Sequence, residues 1–329
     1  MGYLRGALMS LALALGCSLG GAAWAADSPK SDAEDLVFKG DAKCTSCHDA
    51  EDSPELLRIS KTHHGGVGRA QGKLSCVSCH GESDRHLKKP DGQERPKPDR
   101  VFGHKGAYLS ADERSKPCLE CHAGDRHLAF WESGRHKKND VSCDNCHTMH
   151  EPARSQLRKE NPTISPYTTT SRQLQYETCT QCHKQIRSQL LKTSHHPIIE
   201  GKLDCSSCHN PHGALSHAMI KEESVNQLCT TCHADKRGPF MNEHPPVEEN
   251  CLTCHNSHGS SHGKLLSERA PNLCQDCHDW SRHPGSYYSG NQGFAGAQNT
   301  RLVARSCLNC HNQVHGSNAP AMRGKFFLR

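Results

Sequence analysis

Twenty of the 21 cysteines in this 329-residue chain lie in ten strings of the form Cys-x-x-Cys-His. This spacing is typical of c-type haem attachment. Two thiols must reach the two vinyl groups of one porphyrin while the adjoining imidazole reaches the iron from one face. The strings therefore predict ten covalently bound haem c groups, and the fold has to form around them.

Each string supplies two thioether cysteines and one proximal histidine. The predicted thioether cysteines are Cys44, Cys47, Cys76, Cys79, Cys118, Cys121, Cys143, Cys146, Cys179, Cys182, Cys205, Cys208, Cys229, Cys232, Cys251, Cys254, Cys274, Cys277, Cys307 and Cys310. The predicted proximal ligands are His48, His80, His122, His147, His183, His209, His233, His255, His278 and His311.

Two other uses of paired cysteines fit the sequence less well. Exported cysteines can form a disulfide framework, and paired Cys-x-x-Cys strings can bind zinc. Neither requires a histidine directly after the second cysteine in every string. Thioredoxin-like redox chemistry is disfavoured as well, because no βαβ pattern surrounds the strings.

The composition points to a core built by cofactors rather than by side chains. Leu, Ile, Val and Phe make up 50 of 329 residues, and the mean hydropathy is −0.77. Such a chain would ordinarily be disordered. A Rossmann enzyme, a barrel enzyme and a nucleic-acid-binding module are disfavoured, since there is no glycine fingerprint and no basic stripe. The net charge of +5 is misleading, because haem propionates would make the holoprotein acidic.

Residues 1–25 have the pattern of a secretory signal peptide. Arg5 gives a positive start, an apolar run follows, and Ala23-Trp24-Ala25 forms a cleavage signal. Cys17 could instead be a lipoprotein cysteine, although Ala14-Leu15-Gly16 before it lacks Leu at the usual position. The mature decahaem cytochrome is predicted to span 26–329, and no other apolar run approaches the length of a membrane helix.

Sixteen histidines lie outside the strings and can supply the sixth iron ligand. The motifs read as five two-haem repeats, 44–86, 118–150, 179–212, 229–258 and 274–315, with a possible boundary at 151–171. Each repeat holds one histidine between its two motifs and one just after the second. The predicted distal ligands are His64, His86, His136, His150, His196, His212, His244, His258, His283 and His315.

Two of these choices are made within His-His doublets. His64 and His196 are preferred over His63 and His195 because they precede Gly or Pro, as His244 and His283 do, but the doublets leave both members open. The six spare histidines are interpreted as surface or propionate-side residues, with a pH-linked proton acceptor as the alternative. They are His63, His104, His127, His195, His217 and His262. The methionines are interpreted as packing residues.

Neighbouring motifs must share ligands. His209 and His212 cannot bind opposite faces of one iron, because three residues span at most about 11 Å. Two histidines per iron would close every site, which favours a low-potential electron carrier over an enzyme. We expect little regular structure beyond short helices over 54–62 and 186–194, with loops at 88–98, 151–171 and 285–296, wrapped around a linear array of haems.

At the level of these motifs the chain resembles the periplasmic decahaem cytochromes of the MtrA/MtoA/PioA/DmsE family. The resemblance includes Cys205–Gly213, Lys236-Arg237-Gly238-Pro239 before His244, and Ser306–His311 running on to His315-Gly316-Ser317-Asn318. It implies a cytochrome inserted in an outer-membrane β-barrel porin of the MtrB/MtoB/PioB type. Further implied partners are an outer-surface multihaem cytochrome or terminal reductase, and periplasmic or inner-membrane c-type cytochromes.

The function expected from this resemblance is extracellular electron transfer across the outer membrane. A closed barrel would sheathe a polar chain that cannot face lipid. A soluble periplasmic electron shuttle and a multihaem reductase remain as alternatives. The residues do not determine the direction of flow, outward to metals or dimethyl sulfoxide or inward from Fe(II).

Overall fold

The computed structural model describes residues 35–65, 74–88, 91–103, 108–150, 171–278 and 307–328. The predicted signal peptide, Cys17, His104 and His283 lie outside these ranges, as do the predicted loop 285–296 and residues 151–170 of the possible boundary. The described α-helices are α1 (Ala42–Thr45), α2 (Pro54–Leu57), α3 (Cys76–His80), α4 (Asp84–Leu87), α5 (Ala111–His122), α6 (Arg135–Lys138), α7 (Ser171–Thr180), α8 (Lys184–Leu190), α9 (Val225–Thr230), α10 (Pro245–Glu249), α11 (Asn272–Gln275) and α12 (Ala321–Lys325).

Short 3-10 turns complete the regular structure of the described residues. They span Arg58–Lys61, Arg126–Leu128, Cys143–Asn145, Cys205–Ser207, His217–Met219, Ala234–Lys236, Cys251–Thr253, Gly263–Leu265 and Cys307–Asn309. Strand pairing in this part of the chain is limited to isolated antiparallel bridges, such as the one between Ser194 and Ser260. The prediction of short helices and loops is thereby confirmed.

The side-chain core is small. Among the described residues the buried apolar side chains are Val37, Phe38, Ala111, Trp131, Tyr176 and Leu190. Six such side chains cannot supply the buried area that a chain of this length needs to fold. The structure therefore agrees with the expectation that bound cofactors contribute most of the apolar interior. No helix in the described ranges is long and apolar enough to cross a membrane.

The two predicted helices are present with altered ends. Helix α2 and the 3-10 turn that follows it cover 54–61. Helix α8 starts two residues before the predicted 186 and stops at Leu190, which is fully buried. The helix ends early because Ser194 pairs with Ser260 through two backbone hydrogen bonds of 3.0 and 2.8 Å, which holds the chain extended.

Two longer helices were not predicted. Helix α5 begins at a capping box in which Ser110 and Glu113 satisfy each other's backbone N–H groups, a signal that the sequence carries. Helix α7 has Ser171 as its first described residue. Both helices contain the first cysteine of a haem motif, so they position Cys118 and Cys179 at their sites.

The predicted loop at 88–98 forms no helix or strand in its described part, and it does more than connect. The carbonyl oxygen of Pro96 lies 2.7 Å from Nδ1 of His86, and the Arg95 guanidinium donates to the His86 carbonyl at 2.7 Å. The loop thus folds back over His86 and fixes its ring.

Candidate haem sites

Each Cys-x-x-Cys-His string forms one helical turn. We number the sites 1 to 10 in the order of their motifs. In eight of them the backbone N–H of the histidine donates to the carbonyl of the first cysteine at 2.9–3.1 Å, and the strings of sites 2 and 3 lie in α3 and α5. Residues at positions i, i+3 and i+4 of a helical turn share one face. The two sulfurs and the imidazole of a motif therefore point toward the same space.

Motifs in the first and second halves of each repeat are held differently. The first motif follows or ends a helix, whereas the second starts a new turn whose orphan N–H groups need a cap. Ser75, Ser142 and Asp204 each form a capping box, and Asn250 accepts from Leu252. A Ser, Asp or Asn directly before the first cysteine is thus a sequence signal for the second motif, and our sequence reasoning missed it.

Nine histidine pairs face each other with ring centres 6.0–6.3 Å apart. Each pair joins one predicted proximal histidine with one predicted distal histidine. The pairs are His48 with His86 at site 1, His80 with His150 at site 2, His122 with His64 at site 3, His147 with His212 at site 4, His183 with His136 at site 5, His209 with His258 at site 6, His233 with His196 at site 7, His255 with His315 at site 8, and His278 with His244 at site 9.

This separation fits iron held between two imidazoles. A metal–nitrogen bond of about 2.0 Å, plus roughly 1.1 Å from that nitrogen to the ring centre, puts two opposed ring centres about 6.2 Å apart. Direct stacking of two imidazoles would bring the rings closer. The predicted partner of His311 at site 10 is His283, which lies outside the described residues.

The hydrogen bonds of the rings select the tautomer that a metal requires. A carbonyl oxygen can only accept, so a ring whose Nδ1 meets a carbonyl carries its proton there and leaves Nε2 free to ligate. Nδ1 lies 2.6–3.1 Å from a backbone carbonyl oxygen in His80, His86, His136, His150, His196, His209, His244, His255 and His311. Burial lowers the pKa of His80 and His147, which favours the neutral form that binds iron.

The doublets are separated by the structure. His64 and His196 lie in facing pairs, whereas neither His63 nor His195 belongs to any of the nine. Instead, Nε2 of His195 lies 3.0 Å from Glu200, and this hydrogen bond raises the pKa of His195. Its Nδ1 lies 2.7 Å from the carbonyl oxygen of Lys192, so both ring nitrogens are used within the loop.

The remaining spare side chains take no part in the nine pairs. His127, His217 and His262 lie in short turns or beside them. Met241 and Met322 are 72% and 60% exposed, so neither packs into the side-chain core, although we interpreted the methionines as packing residues.

The facing pairs cross between consecutive repeats. The histidine in the middle of one repeat faces the first site of the next repeat, and the histidine trailing that next repeat faces the second site of the one before. Repeats 2 and 3 illustrate the exchange: His136 faces His183 at site 5, and His212 faces His147 at site 4. The first repeat closes its own outer site through His86. No inner repeat can complete its sites alone.

Backbone contacts lock three of these crossings. In each, Nδ1 of the middle histidine meets the carbonyl directly before the neighbour's trailing histidine. The contacts join His136 with Pro211 at 2.8 Å, His196 with Ser257 at 2.7 Å and His244 with Val314 at 3.1 Å. The glycine after the trailing histidine lies against the earlier repeat, because a Cβ at Gly213 or Gly259 would overlap the carbonyl oxygen of Phe130 or Gln189.

The cysteines show how successive sites adjoin. A hydrogen bond between Cys44 and Cys76 lowers the pKa of the Cys44 thiol to about 7 and raises the pKa of the Cys76 thiol. Burial, followed by the nearby Cys121, raises the pKa of Cys79. A thioether carries no proton, so these shifts apply to the free thiols. They are informative here because their causes show that Cys44 lies within hydrogen-bonding reach of Cys76 and that Cys79 lies near Cys121.

Two kinds of interaction alternate along the chain. First cysteines are hydrogen-bonded within a repeat, and second cysteines of neighbouring repeats lie near enough for one to raise the pKa of the other electrostatically. The first-cysteine pairs are Cys44 and Cys76, Cys118 and Cys143, Cys179 and Cys205, Cys229 and Cys251, and Cys274 and Cys307. The second-cysteine pairs are Cys79 and Cys121, Cys146 and Cys182, Cys208 and Cys232, and Cys254 and Cys277. Together they connect sites 1 to 10 in sequence order.

Three aromatic side chains that the sequence reasoning did not single out touch the facing histidines. Phe102 contacts His80, Phe327 contacts His244, and Trp131 contacts His212 edge-on with ring centres 6.3 Å apart. The buried indole N–H of Trp131 has no hydrogen-bond partner among the described residues. A buried donor beside a haem site fits a haem propionate, the acceptor that the cofactor itself would bring.

The sequence is similar to those of known proteins. A family model described as a doubled CXXCH motif matches residues 195–238 and 244–283. The cytochrome c-type protein NrfB of Haemophilus influenzae is 28% identical over 174 residues, covering 48% of this chain and 70% of that protein. The multiheme cytochrome MtrA of Shewanella baltica (strain OS185) is 38% identical over 296 residues, covering 88% of this chain and 82% of that protein. The chain belongs to the family of multihaem c-type cytochromes that includes MtrA.

Proposed function

We propose that this chain binds ten haem c groups and conducts electrons along them from one end of the array to the other. Its family makes haem c binding and electron transfer its general properties. The observation that carries the finer proposal is the alternating series of hydrogen-bonded first cysteines and electrostatically coupled second cysteines, which links all ten motifs in sequence order.

The facing histidines are the axial ligands in this proposal. The nine pairs bind iron at sites 1 to 9, and His311 with His283 binds it at site 10. Each haem supplies a centre that gains and loses one electron reversibly. The protein fills both axial positions with imidazole and holds the rings through backbone carbonyls, so no iron has an open position for a substrate. The chain is thus an electron carrier rather than an enzyme.

Crossed ligation keeps the sites close together. A histidine that binds one haem while its Nδ1 contacts the residue beside the next ligand ties the two sites through a few bonds, as His196 and Ser257 do. The repeats therefore cannot separate without losing iron ligands. A fixed spacing between neighbours is what conduction through ten centres requires.

We further propose that the array crosses the outer membrane inside a β-barrel. The signal peptide predicted for residues 1–25 directs the chain to the periplasm, and the family resemblance implies a porin of the MtrB/MtoB/PioB type. The hydrocarbon layer is about 30 Å thick, and a chain with so many polar loops cannot satisfy its backbone there without a protein sheath. Beyond the barrel, an outer-surface cytochrome or terminal reductase would exchange electrons with Fe(II), ferric minerals or dimethyl sulfoxide.

Two measurements test these proposals separately. Haem content and electron paramagnetic resonance (EPR) of the oxidised holoprotein are expected to give ten low-spin bis-histidine haems per chain. A high-spin or methionine-ligated haem would contradict the closed sites and favour a reductase. For the barrel, liposomes containing the porin and this chain are expected to reduce an enclosed dye from an external donor. If the enclosed dye stays oxidised and the chain passes electrons only between soluble partners without a porin, the periplasmic shuttle would be supported instead.

A further inference from the structure

Site 1 differs from the other sites in how one of its ligands is held. Nδ1 of His48 lies 3.3 Å from Oγ of Ser53. The nine other histidines with an Nδ1 contact in the described sites all meet main-chain carbonyls, including His86 on the opposite face of site 1. Ser53 is thus a side chain in a position that the backbone occupies elsewhere.

The Ser53 hydroxyl is available for this role. Ser53 occupies the N-cap position of α2, where a serine hydroxyl ordinarily accepts from an N–H of the first turn. Here the side chain makes no capping hydrogen bond. The backbone N–H of Ser53 donates to the Asp49 carbonyl at 3.1 Å, which holds the residue next to the haem motif.

The same short helix contacts the neighbouring site. The carbonyl oxygen of Leu56 lies 2.6 Å from Nδ1 of His150, the distal histidine of site 2. Helix α2 and its N-cap residue therefore supply an acceptor to each of the first two sites, a hydroxyl at site 1 and a carbonyl at site 2. The acceptor at site 1 belongs to a side chain, so a substitution at position 53 can change it, whereas the main-chain acceptor at site 2 stays the same.

The group that accepts the hydrogen bond from Nδ1 affects the reduction potential of the iron through the imidazole ring. A hydrogen bond from Nδ1–H makes the imidazole a stronger electron donor and stabilises the ferric state, which lowers the reduction potential. A hydroxyl at 3.3 Å accepts more weakly than a carbonyl at 2.6 Å. The proton stays on Nδ1 in both oxidation states, so one electron is exchanged and no proton moves.

We propose that Ser53 is a positioning residue that sets the reduction potential of site 1, the first site of the array. This inference rests on the proposed axial role of His48 and His86. It predicts that the strength of the acceptor at position 53 moves the potential of one haem of the ten in either direction.

The test is a spectroelectrochemical titration of the full holoprotein, read as the difference between each variant and the wild type. S53A removes the acceptor, and we expect one tenth of the haem absorbance change to move to higher potential. S53D provides a stronger acceptor, and one tenth is expected to move to lower potential. S53T keeps the hydroxyl and is expected to restore the wild-type curve.

Ser60 provides matched controls in the next turn of chain, because its hydroxyl donates to the Leu57 carbonyl and not to a histidine. S60A is expected to overlay the wild type, and S60D shows how far a new charge alone shifts the curve. The proposal is overturned if S53A overlays the wild type, if S53A and S53D shift alike, or if S60D matches S53D. Haem content and low-spin EPR intensity are measured on every variant. Fewer than ten haems per wild-type chain, or a low-spin intensity below that of ten haems, would refute the ligand assignment itself, independently of Ser53.

Discussion

The adjacent histidines 195 and 196 provide the sharpest test of the ligand assignment. His196 faces His233 with ring centres 6.3 Å apart, and its Nδ1 meets the Ser257 carbonyl at 2.7 Å. Its neighbour His195 contacts Glu200 instead. We therefore expect His196→Ala to open one iron, whereas His195→Ala leaves every iron closed.

The expected magnitude follows from the number of sites. Losing the distal ligand of site 7 removes one of ten low-spin haems, so the low-spin EPR intensity falls by one tenth and a high-spin signal of that size replaces it. His195→Ala removes a partly exposed ion pair, which is worth only about 0.2–1 kcal/mol in the free energy of unfolding. That loss leaves the haem spectrum unchanged.

The assay compares the two variants side by side at equal haem content. Adding imidazole to the His196→Ala protein is expected to convert the high-spin signal back to low-spin, because the small ligand fills the open position. The reverse result, with His195→Ala opening an iron and His196→Ala leaving all ten closed, would refute the assignment. A fully low-spin spectrum for both variants would refute it as well.

Three further predictions use other parts of the chain. Asp144→Asn breaks the buried ion pair with Arg114, whose N···O distance is 2.7 Å, and we expect a loss of about 3 kcal/mol in chemical denaturation; an unchanged midpoint would contradict this. Gly259→Ala forces a methyl group against a backbone carbonyl and is expected to cost about 1–3 kcal/mol, whereas the matched Gly263→Ala, with no atom within 4 Å, is expected to match the wild type. The paired rings cross at 76° and 62° at sites 3 and 5 but lie within 13° of parallel at sites 1, 6 and 8. Parallel rings split the two iron d orbitals that they overlap, whereas crossed rings do not, so EPR is expected to show two classes of low-spin signal. A single class would contradict these angles.

Local chemistry made much of this protein predictable. The Cys-x-x-Cys-His strings define their own geometry, because one helical turn aligns both sulfurs and the ring. The family and the fold of short helices are confirmed. The ten-haem count, the five-repeat division and the axial ligands stay predictions, although nine of the predicted distal histidines lie in facing pairs. Preference for His64 and His196 came from the Gly and Pro that follow them.

Some helix starts have signals in the sequence that our prediction did not use. The capping box at Ser110 starts α5, and polar residues such as Ser142 precede the second motif of each repeat. The aromatic contact of Trp131 with His212 has no sequence signature, because the two residues are brought together only by the packing of repeats 2 and 3.

The sequence by itself determined where each haem attaches and which residue types could close it, since those requirements act within a single turn of chain. Only the tertiary structure decided which histidine faces which. His147 and His212 are separated by a whole repeat, and local geometry cannot choose among the histidines in between. That choice follows from the way neighbouring repeats pack, with backbone carbonyls orienting nine of the rings and close glycine contacts bringing the segments together.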